Sequence, residues 1–91
     1  MAKNEQMLRL LFIEEFLRRR KDRGATYPEI ADYLETQFAE KGLELKFTER
    51  TFQRDKLAIA DVFGIQISYS RKKNAHFIEE EELELSQESV F

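Results

Sequence analysis

Ninety-one residues, 42 % of them hydrophobic and eight of them Phe, suffice for one compact core and leave no room for a second domain. The absence of Cys excludes disulfides, thiolate chemistry and Cys-based zinc sites and suits a reducing cytoplasm. The net charge of −3 is an average over unlike regions: from Glu79 onward there are six acidic and no basic residues, so residues 1–78 carry 15 basic and 12 acidic groups, a net +3.

The apolar runs, among them Leu10–Ile13 and the Asp61-interrupted Ile59–Val62, fall far short of the roughly 20 residues of a membrane span. The polar start from Met1 to Gln6 does not resemble a signal peptide. A soluble, cytoplasmic protein is expected.

The first predicted helix covers about Lys3 to Lys21, rich in helix formers and without Gly or Pro, with Asn4 as a possible N-cap. At about 100° per residue, Met7, Leu10, Leu11 and Leu17 fall on one side and Leu8, Phe12 and Phe16 opposite. Such a helix must be buried from two directions, either threading a three-helix core or meeting a second subunit or neighbouring domain. Arg18, Arg19, Arg20 and Lys21 complement the helix dipole at its C-terminus, and Gly24 can end it.

Thr26 and Glu29 have capping-box spacing and Pro28 lies in the first turn, so a second helix starts at Tyr27 and ends near Glu40. Its apolar stripe is Tyr27, Ile30, Ala31, Leu34 and Phe38. The alternation of Leu43, Leu45 and Phe47 with Glu44 and Lys46 predicts a short extended segment pinned to the core.

Thr48 reads as the N-cap of a third helix, Glu49 to Phe63, with Phe52, Ile59 and Phe63 inward, Arg50, Gln53, Arg54 and Asp61 outward, and a stop at Gly64. Ile65 to Ser70 alternates at period two, Arg71-Lys72-Lys73-Asn74 is turn-like, and Ala75 to Ile78 turns apolar again, which predicts a β-hairpin. The stretch from Glu79 to Phe91, with isolated Leu83, Leu85, Val90 and Phe91, has no sustained periodicity.

Three helices and a hairpin are the element order of a mainly α (α+β) winged helix-turn-helix, in which the third helix enters the major groove of DNA and the hairpin forms a wing on the flanking backbone. The start of the third helix, from Thr48 through Arg50, Thr51, Gln53 and Arg54 to Lys56, offers hydroxyl, amide and cationic groups suited to base edges and phosphates. Arg71, Lys72, Lys73 and Asn74 add three charges at the hairpin tip. Thr51, Gln53 and Arg54 are expected on bases, and Thr48, Arg50, Lys56 and the tip on phosphates. Asp55 would repel phosphate, so its expected task is to orient a neighbouring Arg or Lys.

His76 has no Cys or second His beside it, which argues against a metal site, and the carboxylates Glu79 to Glu82 lack a nucleophile or a Gly-rich phosphate loop. No enzyme, cofactor or metal is expected.

The run Arg50-Thr51-Phe52-Gln53-Arg54-Asp55, followed by Ile59, Phe63-Gly64-Ile65, Ile67-Ser68-Tyr69 and the basic turn, resembles the N-terminal helix-turn-helix domain of WYL-domain transcriptional regulators. The resemblance covers about residues 5–79. It implies a winged helix whose third helix reads DNA through Arg50, Thr51, Gln53 and Arg54, with the wing at Arg71 to Asn74. It further implies a C-terminal, ligand-sensing WYL domain, lacking here, in a bacterial regulator. Lys56 departs from the family pattern, where an apolar core residue is common, and the connection from Glu40 to Phe47 is longer than a simple helix-turn-helix turn. The expected organisation is residues 1–79 as the DNA-binding domain and 80–91 as an acidic linker or the start of the missing domain. The expected partners are double-stranded DNA and, in the full-length protein, a second copy, because one small module binds a genomic site weakly. The competing expectation is a winged-helix docking module for another protein; a third, nonspecific architectural DNA binding, predicts little difference between operator and random DNA.

Overall fold

A computed structural model describes residues 2–79 of the chain, with side chains from Glu5 onward. In chain order it has helix α1 (Ala2–Arg20), a single 3-10 turn (Lys21–Arg23), α2 (Tyr27–Glu40), α3 (Glu49–Phe63) and strands β1 (Gln66–Ser70) and β2 (Ala75–Glu79). The acidic stretch 80–91 lies outside the described residues. Among those described, no helix is long and apolar enough to cross a membrane.

Helix α1 begins at Ala2, so Asn4, expected to precede the helix as its cap, already has helical backbone. Leu10, Ile13 and Leu17, at i, i+3 and i+7, form the buried stripe. The opposite apolar row is covered by α2: the Phe16 ring stacks on Tyr33 at 4.5 Å, and Phe12 meets Tyr33 and Phe38 edge-on at 6.3 and 6.2 Å. The second direction of burial is therefore largely met within the chain. Met7 and Leu11, expected on the first face, stay exposed at 42 % and 43 %.

The α-helix stops at Arg20, earlier than Gly24, because Lys21 turns to φ 55°. Gly24, at φ 68°, instead ends the 3-10 turn. A side chain there is impossible without movement, since a Cβ would lie 2.3 Å from the carbonyl oxygen of His76. This close approach lets Ala25 and His76 exchange two backbone hydrogen bonds of 2.8 and 2.7 Å, tying the α1–α2 connection to β2.

The capping box that starts α2 is complete: Glu29 N–H donates to Thr26 Oγ1 and Thr26 N–H to the Glu29 carboxylate. That second bond and the nearby Arg20 charge hold the Glu29 carboxyl below its ordinary range. Arg20 also donates to the Gly24 carbonyl at 2.7 Å and to Glu29 at 2.9 Å, so the cationic end of α1 clamps the start of α2.

Ile30, Leu34 and Phe38 are the buried face of α2. The segment after Gly42 is irregular rather than a strand, and its half-buried Leu43, Leu45 and Phe47 rest on the core, with Phe47 stacked on Tyr27 at 5.5 Å. Thr48 caps α3 by accepting from Thr51 N–H, and Gly64, left-handed at φ 70°, closes it. The hairpin pairs Gln66 with Glu79 through Ser70 with Ala75, placing Ile67 opposite Ile78 on the core side.

Candidate nucleic-acid interface

The surface of α3 is sorted by its helical period. Phe52, Asp55 and Ile59 face the core, while Arg50, Gln53, Arg54 and Leu57 face solvent. The side chains of Arg50, Gln53 and Arg54 form no hydrogen bond or ion pair with any described residue. Together with Leu57 they line one side of a groove of about 400 Å³, whose other side is Gln66 and Ile67 of β1.

Asp55 is fully buried, and Arg9 of α1 reaches it with two bonds: Nε donates to Oδ2 at 2.8 Å and Nη2 to Oδ1 at 3.2 Å. The neighbouring Arg or Lys that Asp55 was expected to orient is not its partner: the carboxylate turns inward and engages a residue 46 positions away, one that no local pattern indicates. The consequence is electrostatic. The sole carboxylate between Arg50 and Ala60 is neutralised inside the fold rather than displayed among the cations.

The remaining expected contacts on α3 fall into two kinds. Thr48 and Thr51 hydroxyls bond each other at 3.1 Å, and Thr48 also caps the helix, so both are committed to its first turn while staying at least partly accessible. Lys56 is half-buried, with its ammonium 5.1 Å from the Phe52 ring centroid, and burial lowers its pKa. It also lines the groove beside Arg54 and Leu57.

Arg71, Lys72, Lys73 and Asn74 are all exposed. Arg71 and Lys72 have no partner among the described residues. Lys73 is drawn back, its ammonium donating to the Asp22 carbonyl at 2.8 Å, and Asn74 adopts φ 53° while accepting a hydrogen bond from the Tyr69 hydroxyl.

His76, next to this turn, is buried with its ring edge-on to Phe52 at 4.8 Å and 4.9 Å from Tyr69. The contact sets the turn end of the hairpin beside the N-terminal half of α3. Burial, and then the Lys56 charge, push the imidazole pKa down to about 4, so it is neutral at physiological pH. Its Nδ1 has no hydrogen-bond partner, and no group of His, Cys, Asp or Glu among the described residues could hold a metal ion.

The other basic cluster is mostly engaged. Arg19 bonds the Tyr33 hydroxyl at 2.6 Å and lies over its ring, Arg20 is the clamp described above, and Arg18 pairs with Glu14. Four groove residues, Leu57, Ala60, Gln66 and Ile67, were not among the expected contacts. Leu57 was within reach of the sequence, being three residues after Arg54 on the same face, whereas Gln66 joins the groove only through the packing of β1 on α3. Comparison of the chain with protein families, curated proteins and solved structures finds no match.

Proposed function

We propose that this chain binds double-stranded DNA as a winged helix-turn-helix, with α3 in the major groove and the hairpin turn against the flanking backbone. The observation that carries the reading is the division of charge on α3: Arg50, Gln53 and Arg54 are solvent-facing and unpartnered, while Asp55 is withdrawn onto Arg9. In this reading Gln53, Arg54 and Thr51 address base edges, Arg50, Lys56, Thr48, Arg71 and Lys72 address phosphates, and Lys73 and Asn74 mainly shape the turn. The resemblance to the N-terminal domains of WYL-domain regulators supports a role as the operator-reading part of a longer, dimeric bacterial regulator with a ligand-sensing C-terminal domain.

Met7 and Leu11, exposed side by side on α1, favour a second reading in which the domain docks another protein. Incubating the 91-residue chain with a randomised pool of short duplexes at low and then physiological salt, and sequencing what is retained, separates the two. Enrichment of a motif that disappears in Arg54→Ala is the expected result. No retention even at low salt would reject DNA binding and leave the α1 surface as the place to look.

A further inference from the structure

Leu57 is the most exposed large apolar side chain among the described residues, at 74 % against 52 % for Val62. It follows Arg50, Gln53 and Arg54 by seven, four and three residues, the spacing that aligns all four on one helical face. It also lines the groove with them, beside Gln66. Neither the core nor the helix requires it, since it touches no core cluster and Ala would favour the helix at least as well. A leucine in the middle of an otherwise hydrogen-bonding surface calls for an apolar partner. On the major-groove edges of the bases the only apolar group is the 5-methyl of thymine.

We infer that Leu57 is a specificity-determining residue that packs against a thymine 5-methyl in the bound duplex. The inference rests on the DNA-binding reading and deepens it: the recognised site contains a thymine about one base-pair step from the base that Arg54 addresses, since three residues of helix advance about 4.5 Å and one base step about 3.4 Å. Arg54 and Gln53 supply polar discrimination, and Leu57 distinguishes thymine from cytosine and from uracil.

The test changes the DNA before it changes the protein. A duplex enriched from the randomised pool is resynthesised with deoxyuridine replacing thymidine at one position at a time, which deletes single methyl groups and leaves every hydrogen bond intact. The 91-residue chain is expected to lose about fourfold in affinity at one position, the ratio for burying one methyl-sized group. Leu57→Ala, altered only at an exposed helical site, is expected to bind the thymine duplex about as weakly as wild type binds the uracil duplex, and to be indifferent to the replacement. Equal binding of thymine and uracil duplexes at every position would overturn the role of Leu57 while DNA reading stands, as would a uracil effect that persists in Leu57→Ala. Failure to retain any duplex would overturn the DNA-binding reading, and this inference with it.

Discussion

At the scale of single residues, Asp55 decides most about the candidate site. A carboxylate between Arg54 and Lys56 looks out of place in a cationic stretch, yet it lies three residues after Phe52 and four before Ile59, on the buried stripe of α3. Its burial is tolerable only because Arg9, itself 14 % exposed at the side chain, satisfies both carboxylate oxygens. Removing one member strands the other, so Arg9→Met is expected to destabilise the fold by about 3 kcal/mol or more. Replacing both, as Arg9→Met with Asp55→Leu, is expected to restore most of that loss. Urea unfolding of the three proteins provides the check, and an Arg9→Met variant as stable as wild type would mean that the pair does not hold α3 in place.

Where elements meet, the seam of β2 on α3 carries a pH dependence. His76 is neutral in the folded state down to about pH 4, whereas an unfolded histidine titrates near 6.5. Above pH 6.5 neither state takes up a proton and His76 contributes no pH dependence. Between 6.5 and 4 the unfolded chain binds a proton that the folded chain refuses, so stability falls as the pH drops; below 4 both states are protonated and the loss levels off. A decline of order 2 kcal/mol from pH 7.5 to 4.5 is expected, beyond that of His76→Leu, whose remaining slope belongs to the carboxylates. Identical slopes in the two proteins would show that the imidazole protonates in place.

The same seam marks where sequence reasoning runs out. The starts of α2 and α3, the stop at Gly64 and the strands of the hairpin were legible because each depends on residues within one turn or one alternation: Thr26 with Glu29, Thr48 with Thr51, Ile65 to Ser70. Arg9 with Asp55, Ala25 with His76 and Phe16 with Tyr33 join distant stretches, and no local period encodes them. Tyr33 is instructive, for it lies off the expected apolar stripe of α2 yet covers the second side of α1. For the candidate site, the outward row Arg50, Gln53 and Arg54 could be read from spacing alone, but the withdrawal of Lys73 toward Asp22 could not.

Across the whole molecule, charge is distributed more tellingly than the net −3 suggests. Cations on α1 are largely spent on the fold: Arg9 on Asp55, Arg19 on Glu15 and Tyr33, Arg20 on Glu29. Those without a partner among the described residues include Arg50 and Arg54 on α3 and Arg71 and Lys72 at the adjoining hairpin turn. If the four cations assigned to phosphates, Arg50, Lys56, Arg71 and Lys72, each neutralise one, the logarithm of the DNA association constant should fall with the logarithm of salt concentration at a slope of about −3.6, or about 0.9 per contact. Fluorescence anisotropy with a labelled duplex between about 50 and 200 mM salt measures it directly. Converting Arg71 and Lys72 to Ala should flatten the slope by about 1.8 and weaken all duplex sequences alike, because phosphates carry no sequence information. Arg19→Ala, at a cation already engaged within the fold, should leave the slope unchanged. A slope insensitive to Arg71 and Lys72 would mean that the hairpin turn stays clear of the DNA, and would reduce the interface to α3 alone.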